Sequence, residues 1–177
     1  SFEDIAKMET ACDRVVTTPE YLAYLKIAEG CDNRCTYCAI PGIRGGLHSR
    51  PMEELIAEAK DMEQIGAREL VLIAQDTTAY GRDLYGEDKL VELIRKITAE
   101  TEIPWIRILY CYPDKISDAL VEEFKNNSRL VKYIDLPVQH LSDKILRRMN
   151  RKGNSETIAD AVARLRTVPG MAIRTTF

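Results

Sequence analysis

The segment 29–42, EGCDNRCTYCAIPG, places Cys31, Cys35 and Cys38 within one short loop, with three and then two residues between them. These short spacers allow the three sulfur atoms to converge. Cysteine thiolates bind iron–sulfur clusters, and a cubane cluster with three protein ligands keeps one iron open for a substrate or cofactor. A zinc site completed by His48 is the alternative, because tetrahedral sulfur–nitrogen sites favour zinc. A redox disulfide within the loop is a lesser alternative.

Outward from this loop, apolar strands alternate with amphipathic helices. Strands are predicted at AYLKIA (23–28), ELVLIAQ (69–75), WIRILY (105–110), YIDLPV (133–138) and MAIRTTF (171–177). Helices are predicted from Pro51 to a cap at Gly66, at 89–98, at 117–127 with Ser117 or Asp118 as cap, at 142–149 and at 155–168. The continuous apolar run of the second strand is typical of a strand buried on both faces.

This alternation predicts a parallel sheet with right-handed crossovers, either an open doubly wound sheet or part of a barrel. Both architectures place their functional groups at the carboxyl ends of the strands. Polar groups follow or end all five predicted strands: the cysteine loop, Gln75 and Asp76, segment 112–114, Gln139 with His140, and Arg174. We therefore predict one functional site on one rim.

The composition narrows the class of protein. The 177 residues fit a single domain with a real core, and the net charge of −3 argues against a broad nucleic-acid surface. An odd count of five cysteines, three of them in one loop, is a poor disulfide framework and favours a reducing cytoplasm. No apolar run reaches membrane length.

Several residues stand outside the predicted site. Cys12 and Cys111 are isolated in sequence, and Cys111 is predicted to be a small buried hydrophobic residue. The basic cluster of Arg147, Arg148, Arg151 and Lys152 is a candidate contact for phosphate or an acidic partner. A solvated helix end is the favoured interpretation of that cluster.

The cysteine spacing, with Tyr37 directly before the last cysteine, resembles the signature of the radical S-adenosylmethionine enzymes. The resemblance implies a 4Fe-4S cluster on the three cysteines, whose open iron binds the methionine moiety of S-adenosylmethionine. It also implies an α/β fold, a partial (β/α)6 TIM-like barrel, truncated here to about five strand–helix units.

Further segments resemble the methylthiotransferase family within these enzymes. They are LKIAEGCDNRCTYCAIPGIRG, LVLIAQDTTAYGRDLYG, RILYCYPD, DLPVQHLSDKILRRMNR and IRTTF, and they cover the chain from about Tyr24 onward. The resemblance implies addition of a methylthio group to an aspartate β-carbon of a small-subunit ribosomal protein, through a 5′-deoxyadenosyl radical. It also implies an electron donor such as flavodoxin or ferredoxin.

Two other functions stay open. A sister family methylthiolates an adenosine of tRNA, and the segments QDTTAYG (75–81) and YCYPD (110–114) favour the ribosomal-protein enzyme over it. A zinc-stabilised binding module without chemistry is the third interpretation.

The resemblance also implies roles for individual residues. The metal ligands are Cys31, Cys35 and Cys38, and Tyr37 lies beside the adenine. Contacts to the cofactor are expected at its methionine end from Gln75 and Asp76, at its ribose from Gln139 with His140 beside it, and at its carboxylate from Arg174.

The domain organisation is expected to be incomplete. Residues 1–20 are expected to be a linker from an amino-terminal domain that carries a second 4Fe-4S cluster. Residues 21–177 are expected to form the radical core domain, truncated at its carboxyl end, with a substrate-binding domain of the TRAM type beyond it. We therefore expect this chain to hold one cluster and not to complete methylthiolation alone.

Overall fold

The computed structural model describes residues 18–177, which form an open five-stranded parallel sheet flanked by helices. In chain order the strands are β1 (Leu22–Lys26), β2 (Ala28–Glu29), β3 (His48–Ser49), β4 (Glu69–Ile73), β5 (Trp105–Ile108), β6 (Leu130–Asp135) and β7 (Ala172–Arg174). The large sheet has the order β1-β4-β5-β6-β7, and β2 pairs with β3 in a separate antiparallel ribbon. The predicted α/β architecture of five parallel strands is confirmed.

Seven α-helices lie between these strands in the described part of the chain. They are α1 (Ile40–Arg44), α2 (Met52–Gln64), α3 (Arg82–Tyr85), α4 (Leu90–Glu100), α5 (Asp118–Asn126), α6 (Asp143–Arg148) and α7 (Ser155–Arg166). Two 3-10 turns, Thr77–Ala79 and Pro113–Lys115, follow β4 and β5. Each parallel pair is thus joined by a helical crossover, which is the connection that parallel strands require.

The core lies between the sheet and its covering helices. Leu70, Val71 and Leu72 of β4 are all buried, and Leu70 and Leu72, which lie on the same face of the strand, belong to the main hydrophobic core. Helix α4 directs Leu93 and Ile97 into the same core, each fully buried. Burial of such a side chain stabilises the fold by about 1.5–3 kcal/mol, so these periodic apolar positions supply much of the driving force.

The helix ends match the predicted caps with one correction. Helix α2 ends in a Schellman motif, in which the Ala67 amide donates to the Met62 carbonyl at 3.0 Å, and Gly66 takes a positive φ of 103°. Ser117 caps α5, because its hydroxyl oxygen accepts from the Leu120 amide at 3.1 Å. Pro51, where this helix was predicted to begin, is its N-cap, and the first helical residue is Met52.

Two expectations fall outside this description. Cys12 and nearly all of the predicted linker (residues 1–20) lie outside the described residues.

Across residues 18–177, the helices are too short or too polar for any of them to cross a membrane.

Candidate metal and cofactor site

The cysteine loop begins where β2 ends, and a close approach of backbone fixes its entry. Gly30 has a φ of 70°, and a Cβ there would lie 2.0 Å from the Gly46 carbonyl oxygen. The Cys31 amide donates to the Gly45 carbonyl at 3.2 Å, which ties the start of the loop to the segment after α1. Only glycine fits at position 30, because both the backbone conformation and the available space exclude a side chain.

Cys31 is held by a buried polar network. The backbone amide and the Nδ2 group of Asn33 both donate to the Cys31 sulfur at 3.4 Å. Asn33 Nδ2 also donates to Asp76 Oδ2 at 2.6 Å, and Asp76 forms an ion pair with Lys115. Asp76 is 1% exposed and its other oxygen accepts from Thr78 at 2.6 Å. Asp76 therefore fixes the cysteine loop from beneath, instead of lining the cavity.

Cys35 lies against Tyr112 and Arg151. The Tyr112 hydroxyl is 3.5 Å from the Cys35 sulfur, and Arg151 Nη1 donates to the same sulfur at 3.8 Å. The Arg151 guanidinium stacks over the Tyr112 ring, 4.1 Å from its centroid. These three residues come from the cysteine loop, the segment after β5 and the segment after α6, so the fold and not the local sequence assembles them.

These surroundings shift the pKa values of the Cys31 and Cys35 thiols in opposite directions. Burial raises the pKa of Cys31, and the nearby Asp76 carboxylate adds to the increase, so the pKa lies above its usual range. Burial also raises the pKa of Cys35, but the hydrogen bonds from Tyr112 and Arg151 together with the Arg151 charge outweigh it, leaving the pKa lowered. Cys35 therefore carries the better stabilised thiolate of this pair.

The segment after α6 packs onto the cysteine loop. The Thr36 amide donates to the Met149 carbonyl at 3.0 Å, and Asn150 Nδ2 donates to the Arg34 carbonyl at 2.7 Å. Arg151 is 8% exposed, so the prediction of a solvated helix end is wrong for this residue. Arg147, Arg148 and Lys152 are exposed as predicted.

A cavity of about 390 Å³ opens at the carboxyl ends of β1 and β4 beside the cysteine loop. Its wall includes Cys31, Cys38, Asn33, Gln75, Tyr110 and Tyr112. The volume lies in the range of small-molecule and cofactor sites. Gln75 Nε2 donates to Glu29 at 2.9 Å, while the buried Gln75 and Asn33 carbonyl oxygens accept no hydrogen bond from described residues. Both residues belong to the cavity wall, although these two oxygen atoms are themselves buried.

Tyr37 and Gln139 both lie on the rim, but Tyr37 is largely exposed whereas Gln139 has a strained backbone. Tyr37 is 52% exposed, and desolvation together with the neighbouring Cys35 raises its pKa to about 12. Gln139 has a φ of 69°, and the His140 amide donates to the Val138 carbonyl at 2.8 Å, which forms a strained γ-turn. His140 is exposed, and its Nδ1 accepts from the Ser142 amide at 2.8 Å. His140 is thus engaged with its own loop.

Arg174 has a partner within the chain. Its guanidinium forms an ion pair with Asp135 Oδ1 at 3.5 Å. That oxygen is buried and accepts no hydrogen bond from described residues. Hydrogen bonding to Tyr133 and the Asp135 charge raise the pKa of Arg174. The Arg174 side chain is 64% exposed, so it remains open to solvent at the end of β7.

Backbone strain is concentrated around this site. Among residues 18–177, the non-glycine residues with positive φ are Tyr110, Gln139 and Asn150. Tyr110 lines the cavity, Gln139 follows β6 on the rim, and Asn150 holds the cysteine loop. Such conformations cost about 1–3 kcal/mol each and persist only where the surrounding structure enforces them, and they cluster at functional sites.

The donor set fits a cluster better than a single ion. No three His, Cys, Asp or Glu side chains within residues 18–177 are arranged to hold one metal ion. His48, the fourth ligand of the zinc interpretation, is exposed on β3 opposite Glu29. A cubane cluster offers a separate iron to each thiolate, so its ligands need not converge on one atom. Cys31, Cys35 and Cys38 are free thiols on one loop, and Cys31 and Cys38 line the open cavity, which suits that arrangement.

A comparison with protein families decides the class of protein. The model described as "Radical SAM superfamily" matches residues 25–171. The chain belongs to the radical SAM superfamily. Its three-cysteine loop and parallel sheet are thus those of a radical S-adenosylmethionine domain, and the resemblance stated from the sequence is confirmed at this level.

Comparison with individual proteins shows which radical SAM enzymes this chain resembles in sequence. The chain is 52% identical over 164 residues to "Ribosomal protein uS12 methylthiotransferase RimO" of Caldanaerobacter subterraneus subsp. tengcongensis, covering 93% of this chain and 38% of the relative. A protein of the same name from Carboxydothermus hydrogenoformans is 54% identical over 159 residues, covering 89% and 36%. The chain therefore spans little more than a third of the length of these relatives.

A solved structure supports the fold. The radical S-adenosylmethionine methyltransferase TsrM from Kitasatospora setae, with cobalamin and a 4Fe-4S cluster bound, aligns with a TM-score of 0.69. The alignment covers 92% of this chain and 34% of TsrM at 14% identity, so it bears on the fold alone. The radical SAM domain fold is therefore shared despite little sequence similarity.

Sequence reasoning missed Asn33 and Arg151 as residues of this site, and it placed Tyr112 on the rim without its contact to Cys35. Asn33, Tyr112 and Arg151 contact the sulfur atoms of Cys31 or Cys35. Asn33 stands between two of the cysteines, and that position was the available signal. Tyr112 and Arg151 lie more than seventy residues from Cys35 in sequence, so only the fold reveals their contact.

Proposed function

We propose that this chain is the catalytic core of a radical SAM methylthiotransferase and that Cys31, Cys35 and Cys38 hold a 4Fe-4S cluster. The observation that carries the proposal is the cavity of about 390 Å³ beside Cys31 and Cys38. S-adenosylmethionine suits the cavity, because the volume lies in the range of small-molecule and cofactor sites and the cavity adjoins the cysteine loop. The cluster and S-adenosylmethionine, when bound, would supply the radical chemistry.

The protein residues in this proposal bind, orient and exclude water. Gln75, whose side chain is held by its hydrogen bond to Glu29, lies in the cavity wall and meets the methionine end of the cofactor. Tyr37 covers the adenine, Gln139 meets the ribose, and Arg174 supplies positive charge to the carboxylate while it remains near Asp135. Asp76 acts indirectly, because it orients Asn33 beneath Cys31.

The proposed substrate is a protein of the small ribosomal subunit. The two relatives described above, at 52% and 54% identity, are named as modifying ribosomal protein uS12. We propose that the whole protein adds a methylthio group to an aspartate β-carbon of that protein. A second 4Fe-4S cluster in another domain, an electron donor such as flavodoxin or ferredoxin, and a cytoplasmic location belong to the same proposal.

A cofactor-cleavage assay tests the core activity. The chain, reconstituted with iron and sulfide without oxygen and reduced with dithionite, is expected to convert S-adenosylmethionine to methionine and 5′-deoxyadenosine. Cys38→Ala removes one proposed ligand and is expected to abolish the reaction, whereas Cys111→Ala, which alters a buried core residue, is expected to retain it. Equal cleavage by both variants would contradict the ligand assignment.

Mass spectrometry tests the substrate. Ribosomal proteins from a strain lacking the full-length gene are expected to include one that is lighter by about 46 Da, the mass added by a methylthio group that replaces hydrogen. Unchanged ribosomal proteins together with loss of methylthioadenosine from tRNA would instead assign the protein to the sister activity. The net charge of −3 favours the protein substrate, because tRNA binding requires a broadly basic surface.

A further inference from the structure

Arg151 is a buried cation without a carboxylate partner in the described part of the chain. Its side chain is 8% exposed, and the ion pairs of residues 18–177 do not include it. A buried charge is costly unless an opposite charge or hydrogen bonds compensate it. Arg151 Nη2 donates to the Pro137 carbonyl at 2.6 Å, which satisfies part of the guanidinium but does not neutralise it.

The remaining contacts of Arg151 identify its counter-charge. Arg151 Nη1 lies 3.8 Å from the Cys35 sulfur, and the guanidinium plane stacks on Tyr112 at 4.1 Å. Tyr112 itself places its hydroxyl 3.5 Å from the same sulfur. Both groups therefore converge on one thiol. Arg151 does not line the cavity, whereas Tyr112 does, so Arg151 stands behind Tyr112 as seen from the cofactor space.

The backbone around Arg151 is built to hold it there. Asn150 has a φ of 53° and donates to the Arg34 carbonyl, while the Thr36 amide donates to the Met149 carbonyl. The Arg151 amide donates to the Leu146 carbonyl at 2.9 Å, which links it to α6. Three consecutive residues, 149–151, are thus anchored to the cysteine loop or to its sulfur.

We propose that Arg151 is a positioning residue that fixes Cys35 and raises the reduction potential of the cluster by supplying a permanent positive charge. This inference rests on the proposed cluster at Cys31, Cys35 and Cys38. Net charge and hydrogen bonds to the sulfur atoms set the potential of such clusters. A positive charge beside a ligand thiolate stabilises the reduced, more negative form. Tyr112 assists, because its hydroxyl lies 3.5 Å from the same sulfur, to which it can donate when that sulfur is a thiolate, and because its ring carries the stacked guanidinium.

A redox titration of the reconstituted chain, followed by EPR without S-adenosylmethionine, tests this role. Arg151→Met removes the charge at similar side-chain length, and its midpoint potential is expected to be more negative than that of the wild type. Arg151→Lys keeps the charge and is expected to stay closer to the wild type. Arg148→Met removes an exposed cation three residues away and is expected to leave the potential unchanged.

The outcomes separate this inference from the proposed function. A wild-type chain that binds zinc and takes up no iron would contradict the proposed function itself. A wild-type cluster with the same midpoint potential in Arg151→Met would overturn only the role of Arg151. Weaker S-adenosylmethionine binding at an unchanged potential would also overturn it, because Arg151 would then act on the cofactor.

Loss of the cluster from Arg151→Met leaves the proposal testable through iron content. Each variant is first checked for folding by circular dichroism. Higher iron retention in Arg151→Lys than in Arg151→Met supports the charge role. Equal loss of iron from both folded variants contradicts it, since the lysine keeps the charge.

Discussion

Cys31 and Cys35 belong to one loop but experience different electrostatic surroundings. Cys31 shares its network with the Asp76 carboxylate, whereas Cys35 faces the Arg151 cation. Carboxylates disfavour a neighbouring thiolate and cations favour it. The chain therefore places its strongest thiolate-stabilising contacts on the middle cysteine of the three.

The metal-free chain is expected to show this difference in alkylation by iodoacetamide. The thiolate is the nucleophile, and its fraction rises as the pH approaches the pKa of the thiol. Because the pKa of Cys35 is lowered and that of Cys31 is raised, Cys35 is expected to react at lower pH. Both thiols are similarly buried, so access does not favour one over the other. Peptide mass spectrometry checks the order, and earlier alkylation of Cys31 would contradict it.

Asp76→Ala is expected to destabilise the chain by about 3–5 kcal/mol, because it leaves Lys115 as an uncompensated buried cation. The Lys115 side chain is 7% exposed, and Asp76 is its ion-pair partner. Urea unfolding measures the change. The matched control is Glu100→Ala, which breaks the exposed pair with Lys60 and is expected to have little effect. Equal losses in the two variants would contradict the buried network.

The sequence predicted the cysteine ligand candidates but not their supporting residues. Three cysteines in one loop are visible without a fold. Asp76 follows a strand and was expected to contact the cofactor, but a charged Lys115 from the next strand–helix unit pairs with it beneath the loop. Arg151 was expected in solvent, because a basic cluster after a helix has the same pattern whether one member is buried or not.

Helix α2 depends on the left-handed conformation of Gly66. Gly66→Ala is expected to lower the free energy of unfolding by about 1–2 kcal/mol, because φ is positive there. A Cβ at position 66 would meet nothing within 4 Å, so the cost is conformational rather than steric. Gly42→Ala in α1 is the control, since its Cβ is equally free and its φ is not positive. Gly42→Ala is expected to be neutral or stabilising by up to about 1 kcal/mol. A larger loss in Gly42→Ala than in Gly66→Ala would contradict this account.

At the level of elements, hydrophobic periodicity predicted the long segments well and the short ones poorly. Helices α2, α4 and α5 and the strands β4 and β5 agree with the sequence within a few residues. The ribbon of β2 and β3 was missed, because two-residue strands have no periodicity to detect. Strand β6 begins and ends three residues earlier than predicted. The predicted end was too late because LPV (136–138) is apolar but lies in the loop beyond the strand.

At the scale of the whole molecule, five parallel strands bring distant segments to one rim. The cysteine loop follows β2, Gln75 and Asp76 follow β4, Tyr112 follows β5, Gln139 follows β6, and Arg174 ends β7. The sequence predicted this convergence, because parallel strands with helical crossovers share one carboxyl edge. It did not predict that the segment after α6 would return to the cysteine loop, since that contact depends on how the last units pack.

The iron content of the anaerobically reconstituted chain tests the central claim most directly. The account predicts about four irons per chain, as one cubane cluster requires, with no stoichiometric zinc. Cys35→Ala is expected to lose the iron, and Cys111→Ala, which alters a fully buried core residue, is expected to retain it. Stoichiometric zinc without iron uptake in the wild-type chain would contradict the account.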